Sequence, residues 1–302
     1  MYRKIVKSVL MIPSVEKRIK SFYGLDAEIA KNRDRYRVLR DRVYAFLING
    51  NGWVFSQQKS GTHKFENVLA FYRAAKCGYG EFDFSEKSRF GVFEFIGKDL
   101  DLDAVRRYRM YASAQRSPYN NADVAFFETH RYISARPKIL ILLSRNVLDY
   151  SVSYYFYGYK NRANMAHLSV DQVLGEIVDY YIDCHLGQVK AAQNADSVYA
   201  VYYEDMMDND FTAYSRVLRE IDCEYSEDAL RVAIEQASPE KLVAYERKEG
   251  RPLTHNNSFT ASHFIRSGKV GEGREFFTAQ QIEYIEKKCA DAGVPTNGRF
   301  TL

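Results

Sequence analysis

Apolar residues along this chain follow two periods, and each period predicts a different kind of element. The run Ile139-Leu140-Ile141-Leu142-Leu143 is apolar without interruption, as expected of a central strand covered on both faces. Extended to Lys138–Leu143, it joins Val92–Ile96, Val124–Phe127 and Val198–Tyr203 as a predicted strand. Over Val170–Val189 the apolar positions are 170, 173, 174, 177, 178, 181, 182, 186 and 189, the stripe of a helix facing a core. His185 beside that stripe reads as structural. Helices are also predicted over 148–160, 212–221, 227–236 and 279–291. Nearer the start, Trp53-Val54-Phe55 opens into polar residues, and Phe65, Val68, Leu69 and Tyr72 then recur at helical spacing. That segment predicts strand, tight loop, helix. Strands alternating with helices, without a linker or repeat, predict one doubly wound α/β domain whose central, mainly parallel sheet is flanked by helices. Residues 1–47 read as a helical, charged N-terminal segment and 48–302 as the α/β core.

Composition narrows the function more than the fold. A net charge of +4 favours an anionic ligand. No long basic run marks a nucleic-acid footprint, and Arg33, Arg35, Arg37, Arg40 and Arg42 read as a solvated helix face. The 24 tyrosines serve either for stacking on rings and sugars or as scattered core and surface residues. Cys77, Cys184, Cys223 and Cys289 lie far apart with no Cys-x-x-Cys pair, which speaks against a metal cluster and fits a reducing, cytoplasmic setting. No run approaches the roughly 18 apolar residues that span a bilayer. The basic start, Met1 to Pro13, reads as a helix packed on the domain or as one touching a membrane surface.

Three segments carry anion-binding chemistry. In Gln57-Gln58-Lys59-Ser60-Gly61-Thr62-His63-Lys64, a tight turn enters a helix, so backbone N–H groups and a helix N-terminus converge on one point. Lys59 adds a charge, and Ser60 and Thr62 add hydroxyls. The triphosphatase signature Gly-x-x-x-x-Gly-Lys-Ser/Thr is absent. After the best strand come Arg145 and, eight residues on, Ser153. They read either as two groups facing a phosphate above the sheet or as a structural salt bridge and a helix-surface residue. The third segment, His263 to Thr278, mixes cations and glycines in a basic loop before a helix that Thr278 can cap.

Together these segments resemble the sulfotransferases that use 3′-phosphoadenosine 5′-phosphosulfate (PAPS), in the family's order. Lys59-Ser60-Gly61-Thr62 matches the 5′-phosphosulfate loop, and Arg145-Asn146 with Asp149 and Ser153 the 3′-phosphate motif. Tyr203-Glu204-Asp205-Met206 matches a Tyr-Glu-Asp segment, and Arg266-x-Gly268-x-x-Gly271 with Phe277-Thr278 the C-terminal loop. The resemblance implies a P-loop-like sulfotransferase domain with PAPS as co-substrate and no metal. It places Lys59 on the bridging oxygen of the leaving group, and Ser60, Gly61, Thr62 and His63 around the 5′-phosphate. Arg145, Ser153, Arg266, Ser267 and Gly268 fall at the 3′-phosphate side, and Tyr203 beside adenine. Glu128-Thr129-His130 resembles the Lys-Thr-His segment that bears the catalytic histidine, so His130 is the candidate base, with His63 as its rival. The chain departs from the pattern at His63 and Lys64, where relatives carry threonine and tryptophan, and at Glu128, where they carry lysine.

These expectations add up to in-line transfer of a sulfuryl group to an acceptor hydroxyl. A nucleotide-dependent, kinase-like phosphotransferase of similar fold is the alternative. The acceptor expected first is a glycan or glycolipid, then a small alcohol or phenol. Tyr154, Tyr155, Phe156, Tyr157 and Tyr159 either line its site or belong to the core.

Overall fold

The structure is a computed structural model that describes residues 41–42, 44–45, 48–76, 78, 93–95, 126–222, 224–249, 261 and 267–301. Of its two compact units, Met1–Tyr44 and Ala45–Leu302, the second is described below. Most of the predicted N-terminal helical segment lies outside the described residues, as do Arg266 and His263.

Five strands, β1 (Gly52–Ser56), β2 (Phe93–Phe95), β3 (Phe126–Thr129), β4 (Ile139–Ser144) and β5 (Ser197–Tyr202), pair in the order β2-β3-β1-β4-β5. Every pairing is parallel, so all carboxyl ends lie on one edge, where ligands of such sheets bind. The predicted strands are all present, with boundaries that move by one or two residues. Two of these shifts matter. The strand expected at Val124–Phe127 runs on to Thr129, which sets His130 just past its end. The strand expected to include Tyr203 stops at Tyr202, so Tyr203 opens a helix instead.

The helices are α1 (Thr62–Lys76), α2 (Val147–Tyr155), α3 (Val170–Ala192), α4 (Tyr203–Asp208), α5 (Asp210–Ile221), α6 (Glu227–Gln236), α7 (Pro239–Glu249), α8 (Glu272–Phe276) and α9 (Ala279–Asp291). A π-helical turn, Phe156–Lys160, continues α2, so the helix predicted over 148–160 has two parts. Two of the starts have a local cause. The Asn146 side chain accepts from the Asp149 N–H at 2.9 Å to cap α2, and Thr278 and Gln281 close a capping box on α9.

The continuous apolar run of β4 is buried on both sides, as its sequence requires. Ile139, Ile141 and Leu143 pack with Phe65, Val68 and Leu69 of α1, with Val217 and Leu218 of α5, and with Leu230 of α6. Leu140 and Leu142 are equally buried on the opposite face, each such side chain contributing about 1.5–3 kcal/mol. On the Phe55 side α3 comes so close that a Cβ on Gly187 would lie 3.2 Å from the Phe55 ring. Behind it, α2, α3 and α9 share a second core built on Tyr150, Ile177, Val178, Tyr181 and Ile285. His185 belongs to this structural layer: it is buried and stacks on Phe300 at 4.7 Å.

Candidate active site

Four strand ends meet at one place, and the loop after β1 is its centre. Lys59 adopts a left-handed φ of +66° and Gly61 one of +87°, which folds the chain back before α1 begins. Ser60 fixes the turn: its hydroxyl donates to the Gln57 carbonyl at 2.6 Å and its N–H to the same oxygen at 3.2 Å. Gly61 is required twice over, by its φ and by space, because a Cβ there would lie 2.8 Å from both Tyr203 Cδ2 and Met206 Cε. The first-turn N–H groups of α1 have no intrahelical acceptor and point their positive end at the turn.

Arg145, just past β4, joins this turn to the C-terminal loop. Its guanidinium donates to the Lys59 carbonyl at 3.3 Å and to the Lys269 carbonyl at 3.1 Å. It lies 3.9 Å over the ring of Tyr203, and Asp149 approaches it at 3.8 Å. Asp149 is itself buried, accepting from the N–H groups of Gly271 at 2.8 Å and Gly273 at 2.7 Å. Gly273 cannot be larger, since a Cβ would meet the Leu148 backbone at 2.5 Å. The chain's last segment buttresses the same edge: Val147 N–H donates to the Thr296 carbonyl and the Ser144 hydroxyl to that of Gly298.

This edge holds polar atoms that the protein does not satisfy. Arg145 Nε and Thr62 Oγ1 are buried without a hydrogen-bond partner among the described residues. Leaving buried donors unpaired costs about 1–3 kcal/mol each. Their clustering at a helix N-terminus fits a ligand carrying phosphate or sulfate oxygens. Lys59 extends its ammonium to 4.6 Å from the Tyr157 ring centre.

His130 closes the site from β3. Its Nδ1 lies 2.7 Å from Ser56 Oγ, 3.2 Å from the Ser56 carbonyl and 3.7 Å from Glu128 Oε1. The Ser56 hydroxyl donates to Glu128 Oε1 at 3.1 Å. Burial holds the imidazole well below its ordinary value, at about 4, against the opposing pull of the Ser56 backbone. The segment is also fixed from β1, because Trp53 Nε1 donates to Thr129 Oγ1 at 3.0 Å.

The structure thus brings Lys59, Ser60, Gly61, Thr62, His130, Arg145 and Tyr203 to one edge. Ser153 is half-buried on α2. Spacing of four from Arg145 through Asp149 and Ser153 to Tyr157 puts these positions on one side. His63 is more than half exposed and pairs along α1 with Glu66 at 3.3 Å. Lys64 turns away from the edge: its amine donates to the Met206 carbonyl at 2.7 Å and pairs with Asp210 at 3.5 Å. Burial lowers its pKa while Asp210 opposes the shift. Ser267 is exposed and donates to Glu272 at 2.8 Å, and Gly268 stands in open space at φ +66°. Of the aromatic run, Tyr155 and Tyr159 are core residues, whereas Tyr157 faces Lys59. Sequence reasoning gave no part to Gln57 or Ser56 and no specific task to Asp149; the four-residue spacing was the one available signal for Asp149.

Comparison with known proteins agrees with this geometry. A family model described as "Sulfotransferase domain" matches residues 51–293. Two solved structures of retinol dehydratase share the fold. One, in complex with androsterone and inactive cofactor PAP, has 16% identity, covers 88% of each chain and gives a TM-score of 0.59. The other, with retinol and PAP, has 16% identity, 83% coverage of each chain and a TM-score of 0.52. Mouse sulfotransferase SULT7A1 complexed with PAP is similar at 15% identity, covering 81% of this chain and 84% of its own, with a TM-score of 0.53. No curated protein sequence matches. With the family model spanning most of the chain, the chain belongs to the sulfotransferase domain family.

Proposed function

We propose that the chain transfers the sulfuryl group of PAPS to the hydroxyl of a small alcohol, with Lys59 and His130 as its catalytic residues. The observation that carries this reading is the pair of buried polar atoms, Arg145 Nε and Thr62 Oγ1, left without a partner among the described residues beside the Lys59 turn. PAPS supplies a sulfuryl group already activated on a phosphate leaving group. Ser60, Gly61 and Thr62 hold the 5′-phosphate end through the turn and the helix N-terminus. Arg145 and Ser153, with Arg266, Ser267 and Gly268, take the 3′-phosphate side, and Tyr203 braces Arg145. His63 borders the 5′ end and is not the base, because its ring is directed along α1 to Glu66.

Chemistry follows from two placements. As the acceptor oxygen bonds to sulfur, the bond from sulfur to the bridging oxygen breaks, and charge collects on that oxygen. In this reading Lys59 stabilises it. The proton of the acceptor hydroxyl goes to His130. Around His130 Nδ1 stand a carbonyl, a carboxylate and a hydroxyl already donating to that carboxylate, all acceptors. Nδ1 therefore carries the hydrogen, and Nε2 keeps the lone pair that a base needs.

A small alcohol is preferred to a glycan because Tyr155 and Tyr159, residues that suggested a sugar platform, are spent in the core. The solved neighbours in complex with androsterone and retinol favour an apolar hydroxylated ring or chain. Lys59→Ala tests the mechanism. Turnover should fall at least about 100-fold, while calorimetry still detects 3′-phosphoadenosine 5′-phosphate (PAP). Unchanged turnover would remove Lys59 from the reaction.

A further inference from the structure

We propose that Glu128 and Ser56 form a relay behind His130 that orients its ring and stabilises the charge it acquires during sulfuryl transfer. The inference rests on the reading of His130 as the base.

The relay is built across two strands. Phe55 of β1 lies opposite Thr129 of β3 in parallel register, so Ser56 and His130 emerge side by side at the sheet edge. Glu128 is buried at 2% exposure and Ser56 is fully buried. From Glu128 Oε1 to Ser56 Oγ is 3.1 Å, and from Ser56 Oγ to His130 Nδ1 is 2.7 Å. One hydroxyl thus gives its proton to the carboxylate and its lone pair to the imidazole N–H. The carboxylate therefore bears on Nδ1 both through the hydroxyl and directly, at 3.7 Å.

A buried carboxylate at this place needs a reason. Other groups near His130 are Lys59 on the turn, His63 and Glu66 on α1, and Tyr180 and Cys184 on α3. Tyr180 donates to the His130 carbonyl at 3.3 Å, which fixes the backbone. Lys59 and a protonated His63 both oppose positive charge on His130. Burial opposes it further. An imidazole so placed stays neutral and is a weak proton acceptor unless an anion supports its charged form. Glu66 on α1 is one such anion; Glu128, reached through Ser56, is the one joined to the ring by hydrogen bonds.

The step is proton transfer only. The acceptor hydroxyl gives its proton to Nε2, Nδ1 keeps its own, and Glu128 remains a carboxylate throughout. Glu128 and Ser56 are positioning residues, since neither touches the reacting atoms.

Steady-state kinetics on Glu128→Gln, His130→Gln and the double variant test this, with PAP binding by calorimetry as the control for folding. Glu128→Gln should lower kcat about 10- to 100-fold with PAP affinity unchanged, and should move the acid limb of kcat/KM to lower pH, because the imidazolium has lost its counter-charge. Ser56→Ala should lose less, since the carboxylate stays 3.7 Å from Nδ1. In the His130→Gln background, Glu128→Gln should have no further effect. An equal loss in that background, or an acid limb that does not move, overturns the relay while the base reading stands. Full activity of His130→Gln itself overturns the base reading. A Glu128→Gln protein that loses PAP affinity together with activity shows Glu128 to be a structural residue and also overturns the relay.

Discussion

Replacing Gly61 with alanine should cost the protein its donor site, and the size of the loss follows from the turn itself. At φ +87° an alanine incurs about 1–2 kcal/mol of backbone strain. Its Cβ also falls 2.8 Å from Met206 Cε and 2.8 Å from Tyr203 Cδ2. Met206 Cε ends a flexible side chain and can move. Tyr203 cannot move freely, because its ring is buried and lies under the Arg145 guanidinium at 3.9 Å. Overpacking of this kind adds about 1–3 kcal/mol. The total, about 2–5 kcal/mol, is a factor of roughly 30 to several thousand in an equilibrium constant. It has two outlets. A turn that keeps its shape passes the cost to folding, and a turn that opens passes it to PAP affinity. Urea denaturation together with PAP calorimetry on Gly61→Ala therefore measures the sum. Gly78→Ala is the control, because Gly78 has φ +75° with nothing within 4 Å among the described residues. It should lose about 1–2 kcal/mol of stability and no PAP affinity. If Gly61→Ala matches the wild type in both measurements, or if Gly78→Ala weakens PAP equally, the steric reasoning at this turn is wrong.

Two further outcomes are expected. Arg145→Lys should weaken PAP binding about 10- to 100-fold, because an ammonium cannot hold the Lys59 and Lys269 carbonyls and cover Tyr203 at once; wild-type calorimetry would refute this. The acid limb of kcat/KM should lie near pH 4 rather than near 6.5, since burial lowers His130 to about 4 and the free base persists until then. The same sign applies to folding. His130 and His185 are both held at about 4 by burial, so the unfolded chain binds more protons between pH 6.5 and 4. Stability from these groups should fall across that window and level off below it. A urea midpoint that rises as pH drops from 6.5 to 4.5 would contradict the assignment.

How much of this was legible in the sequence depended on the distance over which each feature is determined. The Ile139–Leu143 run and the helical spacing behind Gly61 are local, and both gave the right element. The turn at Lys59 was legible because its residue types, a lysine, a serine and a glycine before an apolar helix, are themselves the cause of its shape. Glu128 was visible only as a departure from a lysine. Its task depends on Ser56, 72 residues away, and on the parallel register that sets the two side by side. The task of Lys64 was hidden for the same reason, since Met206 and Asp210 belong to other helices. The Val124–Phe127 run gave the strand but not its end, because Glu128 and Thr129 are polar residues buried by hydrogen bonds that sequence patterning does not report.

One consequence of the β4 strand reaches beyond packing. Ile139, Ile141 and Leu143 line one face and Leu140 and Leu142 the other, so sliding the strand by one residue exchanges like for like, and hydrophobicity alone cannot choose its alignment. What indexes the strand is polar. Gln188 Nε2 spans the carbonyls of Phe55 and Leu143 at 2.7 and 3.0 Å, and Gln57 Oε1 accepts from Ser144 Oγ and the Arg145 N–H at 3.2 and 3.3 Å. A one-residue slip would carry Arg145 about 3.3 Å along the edge and turn it to the opposite face. The groups that frame the donor site are thus also the ruler by which the sheet is aligned. A variant of Gln57 or Gln188 that loses PAP reports a misaligned strand before it reports a missing contact.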